Sequence, residues 1–386
     1  MTTRADVVIL GGGCAGLALA RELASRRHKQ RTVVIEPRTG YVEDRTWCFW
    51  ARRNEALRFP SRGQWACWQV STGGQVRTHG ARDWRYHWIS SADYYADAAM
   101  VIGASDQVEL RLGVRAEAVI VRDGIGEVVT SDGPVTGRWI IDTRPPAKDW
   151  LMQAPLAQLF SGVEVEAAHD VFAPEMVTLM GNLRASAGAV AFDYILPLSP
   201  RRALVEHTVL TTRPHDPALL DGACDASVSS LCGTGVTILR RERGWLPMGL
   251  PRSRQTPGPV IRAGTPGGAV RPSSGYAFRR IQTWAARCAE SLIERDQPLT
   301  SPLDPPARSL MDRVFISALT NDTDGAPDDF RRMAMALDGD GFARFMSDEA
   351  TLADWGRVVA GLPKIRYLKA AARVLRSGQA RDGGIC

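Results

Sequence analysis

Asp6–Leu10 (DVVIL) is a short, almost unbroken apolar run, the pattern of a strand covered on both faces in a parallel sheet. Three glycines follow, and Ala15–Arg27, rich in Ala, Leu and Arg, predicts a helix. Thr32–Ile35 predicts a second buried strand, so a βαβ unit fits into about thirty residues. Trp47–Trp88 reads as aromatic-rich and irregular, with six of the eleven tryptophans, and Trp139–Ile141 as another apolar strand. From about 150 to 250 the pattern turns to β alternation, in Val190–Leu196, Ala203–Leu210 and Val236–Arg240, as expected of an inserted sheet. Val260–Ala263 predicts a return strand, Gly275–Arg295 a helix behind it, and the chain after Asp328 is helical in pattern. The fold class is therefore α/β. The expected domains are residues 1–150 with 255–300 as a discontinuous nucleotide-binding unit, 151–254 as a β-sheet substrate domain, and 301–386 as a helical C-terminal region.

Composition narrows the function classes. With 386 residues, 45% hydrophobic and 23% charged, the chain can form two or three domains with a substantial core. Gly and Pro together make up about 15%, too little for a low-complexity chain. The net charge of +6 does not point to nucleic acid, because only four of the 48 basic residues are lysine and the arginine bias has a simpler source in genome composition. The seven cysteines form neither a CxxC pair nor a zinc-spaced cluster, so no metal site is expected, and their scatter suits a reducing compartment. No run of about 18 uncharged apolar residues exists, so no spanning helix is expected.

Gly11-Gly12-Gly13-Cys14-Ala15-Gly16 places Gly11, Gly13 and Gly16 in a GxGxxG pattern between the first strand and its helix. The first glycine permits the turn, the second lets backbone approach a pyrophosphate, and the third lets helix pack on strand. The anion then sits at the helix N-terminus, where N–H groups are free. Glu36 ends the second strand twenty residues after Gly16, where a carboxylate can accept from ribose hydroxyls. A second glycine segment comes about 250 residues later, with Gly264, Gly267 and Gly268, then Arg271-Pro272-Ser273-Ser274-Gly275-Tyr276. This layout resembles the Rossmann-type two-dinucleotide-binding-domain flavoproteins, which implies FAD as the tightly held cofactor. Ala263-Gly264 stands where those proteins usually carry Gly-Asp.

Chemistry concentrates at Ile195–Thr208 (ILPLSPRRALVEHT), a predicted hairpin. On period two, Leu204, Glu206, Thr208 and Leu210 share one face, and Ala203, Val205, His207 and Val209 the other. Glu206 is thus flanked mainly by apolar residues, a setting that penalises the anion and makes the carboxyl a candidate general acid near neutral pH. A glutamate on a solvated face, or one paired with arginine, is the competing reading.

LPLSP followed by an acidic-Thr strand is similar to the lycopene β-cyclases of bacteria and plants, whose plant members carry Phe-Leu-Glu-Glu-Thr. Arg45-Thr46-Trp47-Cys48-Phe49-Trp50 resembles the family's Thr-Trp segment. Glu242-Arg243-Gly244-Trp245-Leu246-Pro247-Met248-Gly249-Leu250-Pro251 resembles its cyclase motif in shortened form, and Pro272–Tyr276 its Pro-Ser/Thr-Ser/Thr-Gly-Tyr segment. The resemblance implies closure of the linear ends of lycopene, or of a related acyclic carotenoid, to β-rings with no net redox change. It implies Glu206 as the acid, reduced FAD as fixed negative charge near a carbocation, and NAD(P)H only as the reductant that keeps the flavin reduced. Glu242, at the head of the cyclase motif, is a further candidate. His207 stands where plant members have a second carboxylate. Either that carboxylate is dispensable, or His207 acts as a base in another geometry, although a regular strand turns it away from Glu206.

Because such a substrate resides in the bilayer core, a cytoplasmic enzyme associated peripherally with the inner membrane is expected. The basic segment Pro363–Arg376, with Ile365, Leu368, Ala372 and Leu375 at helical spacing, is the candidate surface. No protein partner is evident. The alternatives on the same scaffold are an FAD-dependent monooxygenase or isoprenoid reductase, and a non-catalytic isoprenoid-binding protein.

Overall fold

A computed structural model describes residues 2–382 apart from 253, 254 and 256; Cys386, one of the seven cysteines, lies outside the described residues. The N-terminal part runs β1 (Thr3–Leu10), α1 (Cys14–Ala24), β2 (Thr32–Glu36), β3 (Thr46–Arg52), β4 (Gly63–Trp65), β5 (Cys67–Thr72), β6 (Gln75–Gly80), β7 (Trp84–Ser90) and α2 (Ser91–Gly103). It continues through β8 (Val108–Leu112), β9 (Ala116–Arg122), β10 (Ile125–Thr130), β11 (Val135–Asp142) and α3 (Lys148–Leu151). Long strands follow: β12 (Leu156–Ala167), β13 (Met176–Ser186), β14 (Ala189–Pro197) and β15 (Arg202–Thr211), then α4 (Asp221–Cys232) and β16 (Val236–Met248). The chain ends with β17 (Val260–Arg262), α5 (Phe278–Arg295), α6 (Pro306–Asn321), α7 (Ala326–Ala336), α8 (Gly339–Met346), α9 (Leu352–Gly361) and α10 (Lys364–Asp382).

The first sheet is mixed, in the order β8-β2-β1-β11-β10-β9, with β17 added parallel to β11. β1 is central and parallel to both β2 and β11. Its apolar run is continuous because both faces are covered. Val7 and Ile9 pack with α1 and α5 through Leu17, Trp284 and Leu292, while Val8 and Leu10 pack with Val33, Ile35 and Ile140. Each such side chain, fully buried, contributes roughly 1.5–3 kcal/mol of transfer free energy.

The second sheet runs β16-β12-β15-β14-β13-β5-β6. β5 and β6, at residues 67–80, lie inside the expected 1–150 segment yet join this sheet through the parallel β5–β13 pair. The hydrogen bonding therefore does not follow the domain limits read from sequence. β3, β7 and β4 form a third small sheet. Trp47–Trp88 is not irregular but holds five strands. Period two fails in β7 (WRYHWIS) because that strand is covered on both sides, with only Arg85 not fully buried, whereas β6 is mostly exposed. Trp50, Trp68, Trp84 and Trp88 are core residues at 1% exposure or less, consistent with aromatic side chains that fit a pleated, buried surface.

Helices close both faces of the second sheet. α4 covers one face with Cys224, Val228 and Cys232 against Val163, Val165, Ala203 and Val205. On the other, α6 brings Phe315, Ile316 and Leu319 against Leu156, Phe192, Leu210 and Met248. The α9 terminus is fixed by a reciprocal cap, with Thr351 and Asp354 each bonding the other's backbone N–H, and Asp354 also accepts two bonds from Arg344.

Candidate functional site

The first glycine loop joins β1 to α1. Gly11 has φ +94°, which only glycine adopts without strain. A Cβ at Gly16 would fall on the Gly11 carbonyl oxygen, whereas one at Gly13 would meet nothing within 4 Å, so Gly16 is needed for packing and Gly13 faces open space. Gly13 caps α1 without any side-chain hydrogen bond, which leaves the first helical amides available to an anion. Glu36 is buried beside this loop, accepting from the Gly12 amide at 2.6 Å and from Arg38 Nε at 2.8 Å. Burial works to raise its pKa, but the bonds from Arg38 and Gly12 outweigh it and hold the carboxyl below its ordinary value. Arg38 stacks over Tyr41 and Tyr95, and both Arg38 and Tyr41 donate to the Gly12 carbonyl. Neither was singled out in the sequence. These residues fit a bound dinucleotide: an uncapped helix N-terminus, a glycine open to the cleft, and an acid at the end of β2.

The late segment comes to the same place. β17 extends the sheet beside β11, and a Cβ at Gly264 (φ +66°) would stand 3.2 Å from Ala15 Cβ in the first turn of α1. Gly267 and Gly268 serve the turn itself. A Cβ at Gly267 would overlap Ala263, and Gly268 lies against Arg252, whose guanidinium donates to the Gly267 carbonyl. Beside them Thr265 and Ser273–Phe278 line the cavity described below.

The hairpin forms as read. Ser199 Oγ accepts from the Arg202 amide at 3.0 Å and the Leu198 amide bonds the Arg202 carbonyl at 2.7 Å, which closes the turn between β14 and β15. Glu206 pairs with Tyr194 on β14 and Gly162 on β12, and Gly162 pairs in turn with Glu242 on β16. Glu242, Gly162, Glu206 and Tyr194 therefore form one row across four strands, on one face. The Glu206 side chain lies over the side-chain gap at Gly162 and brings its carboxyl group within hydrogen-bonding reach of Glu242. Burial, and then the Glu242 charge, push Glu206 well above the ordinary carboxylate range. Glu242 accepts from Thr46 Oγ1 at 2.9 Å and from Arg240, and Arg240 also donates to Thr46 Oγ1 at 2.9 Å.

His207 is on the opposite face. It is buried, with its Nδ1 2.9 Å from Asp193 Oδ1, which also accepts from Ser227 of α4 at 2.8 Å. The sheet lies between it and Glu206, so a direct exchange of protons with Glu206 is excluded by the pleat. Its candidacy as a base at this site is not supported, and it ties β14 and β15 to α4.

A cavity of about 640 Å³ lies over the Glu206 face. One end meets the dinucleotide loops at Cys14, Thr265 and Phe278; its wall carries Phe160, Phe192, Tyr194, Glu206 and Glu242; the far end runs among Phe342, Trp355, Val359 and Tyr367 of the C-terminal helices. Trp47 and Trp50 also line it, next to three joined phenols, with Tyr86 OH 2.8 Å from Tyr194 OH and 3.1 Å from Tyr276 OH.

Residues 6–372 match the family model described as lycopene cyclase protein. The chain belongs to the lycopene cyclase family. The lycopene beta-cyclase of Pantoea ananas is 23% identical over 401 aligned positions, covering 96% of this chain and 98% of that protein. The lycopene beta-cyclase of Paracoccus sp. (strain N81106 / MBIC 01143) is 25% identical over 298, covering 71% and 70%. Among solved structures, a geranylgeranyl bacteriochlorophyll reductase-like protein from Thermoplasma acidophilum superposes with TM-score 0.60 at 13% identity, over 97% of this chain and all of that one. The p-nitrophenol 4-monooxygenase PnpA of Pseudomonas putida does so with TM-score 0.55 at 14% identity, over 98% of each. The chain thus shares the fold of this reductase-like protein and of the monooxygenase.

In this family member the motifs noticed in the sequence converge. Thr46 reaches Glu242; Met248 and Leu246 line the cavity; Ser273 Oγ donates to Asp312 of α6 at 2.7 Å; and Tyr276 joins the phenol cluster. Gly162, Arg240, Tyr86 and Tyr194 escaped sequence reading. Gly162 carried a signal, because a glycine inside a strand weakens it unless something must pass close by.

Proposed function

We propose that this protein is a lycopene β-cyclase, closing the linear ends of lycopene or a related acyclic carotenoid to β-rings. The observation that carries the reading is Glu206: a buried carboxyl group, favoured in its neutral form, on the wall of an apolar cavity that reaches the dinucleotide loops. A proton passes from the Glu206 carboxyl to the terminal alkene, the tertiary cation is captured by the next alkene, and a ring proton is lost, so electrons balance without an oxidant. The apolar walls, Trp47 and Trp50 among them, exclude water that would trap the cation. Gly11, Gly13, Gly16 and Glu36, with the Gly264 turn, would hold FAD. When bound in its reduced form, FAD supplies an electron-rich, negatively charged ring that favours a nearby cation. NAD(P)H would serve only to maintain that reduced form.

We further propose peripheral membrane association. No described helix is long and apolar enough to cross a membrane. Yet α9 and α10, which contribute Trp355, Val359 and Tyr367 to the cavity, leave Leu352, Ile365, Leu368 and Leu375 between 60% and 92% exposed. Lys364, Lys369, Arg373 and Arg376 accompany them, a composition suited to anionic lipid. A polyene end would then enter between these helices.

The test is expression in a lycopene-accumulating host. Wild type turns the red pigment yellow, and Glu206→Gln lowers turnover about 10²–10⁴-fold, the range of a lost general acid. Unchanged pigment with wild type, or full activity of the variant, would overturn the proposal.

A further inference from the structure

We infer that Glu206 and Glu242 act as one unit, a carboxyl pair holding a single proton over Gly162, with Thr46 and Arg240 keeping Glu242 as its unprotonated half. This rests on the reading of Glu206 as proton donor and assigns the part of its partner.

Register is the first argument. Gly162 pairs with Glu206 on one side and Glu242 on the other. Adjacent strands stand about 4.8 Å apart, so the two glutamates start roughly 10 Å apart and must bend towards each other across β12. They can meet only if the central residue has no side chain. A Cβ at position 162 would lie 2.5 Å from Glu206 Cγ and 3.2 Å from its Oε1. The glycine weakens a central strand, and the carboxyl contact is the feature that requires it.

Asymmetry is the second. Two acidic groups in contact cannot both be ionised without large repulsion, so one proton is shared. Arg240 and Thr46 both donate to Glu242 Oε2, which draws the negative charge to Glu242 and leaves the proton on Glu206. The other groups facing the pair do not alter that order. Cys48, Tyr194 and Tyr276 are neutral, with burial pushing each of them up; Glu43 and Glu164 reach the pair only through Arg240; Arg243, Asp44 and Arg45 lie elsewhere on the cavity lining.

The chemical consequence is a self-resetting donor. When the Glu206 O–H bond breaks and its proton forms the new C–H bond, two carboxylates face the carbocation. Their mutual repulsion then favours taking back the ring proton, whose C–H electrons form the ring alkene. One proton leaves and one returns.

Infrared spectra of the purified full-length protein across a pH series test this. A protonated carboxyl C=O band is expected at neutral pH, and its loss in Glu206→Gln identifies its owner; persistence of the band there would overturn the reading of Glu206 itself. In Glu242→Gln, which keeps shape but removes the charge, the titration midpoint of the band falls by at least one pH unit, a tenfold change in protonated fraction above both midpoints. The pH limit of kcat moves with it while KM stays the same. Gly162→Ala moves the midpoint in the same direction with Glu242 intact, by separating the pair. A midpoint unmoved in either variant, with the band still owned by Glu206, would overturn the pair and leave Glu206 as a lone acid.

Discussion

Glu164 of β12 is 1% exposed, yet three guanidinium groups converge on it: Arg62 at 2.6 Å, Arg202 Nε at 2.7 Å and Arg240 Nε at 3.0 Å. Arg62 also lies over the Trp88 ring, 4.7 Å from its centroid. Glu164→Gln preserves shape and removes the charge common to the three. Removing one partner of a buried ion pair costs about 3–5 kcal/mol, because the other charge is left without compensation. Here Arg202 is 41% exposed and returns to water cheaply, and Arg62 keeps Glu43, so the low end, about 3 kcal/mol, is expected. At about 2 °C per kcal/mol in a large domain, the melting temperature followed by circular dichroism should fall by roughly 6 °C at pH 7. Burial works to raise the Glu164 pKa, but the bond from Arg202, the charge of Arg62 and the bond from Arg240 outweigh it, and the folded value lies below the ordinary 4.5. The stabilisation is therefore complete above the unfolded value and is lost as pH falls through the folded one. The gap between wild type and variant should be widest at neutral pH and close on acidification. A gap under about 1 kcal/mol at pH 7, or one that widens in acid, would refute the assignment of this cluster as a stabilising node.

Two further expectations follow from geometry. Gly16→Ala places a methyl group on the Gly11 carbonyl, where no flexible side chain can give way, so purified variant should keep its far-ultraviolet circular dichroism but lose flavin absorbance; retained flavin would contradict the dinucleotide site. Replacing both Ile365 and Leu368, which are 72% and 69% exposed, with Glu should reduce pelleting with anionic vesicles at least tenfold, since each apolar side chain contributes roughly 1.5–3 kcal/mol on full burial and the new charges repel the lipid; unchanged pelleting would remove α10 from the membrane surface.

Local order decided what could be read in advance. The DVVIL run, the glycines and the Thr32–Ile35 run lie within about thirty residues, and their spacing alone sets strand, turn and helix. Period two likewise placed Glu206 and His207 on opposite faces, as the pleat requires. The Trp47–Trp88 region misled because a strand covered on both sides, as β7 is, loses its alternation.

What the sequence determined by itself was thus the βαβ unit, the hairpin, and the side of the sheet to which its acid belongs, since each depends on neighbours a few residues apart. The meeting of Glu206 with Glu242 across Gly162, and the approach of Thr46 to Glu242 from 196 residues away, belong to the tertiary structure. Strand register is a property of the whole sheet, set by which apolar faces must be covered together, and a one-residue slip would have turned Gly162 and its neighbours to the other face.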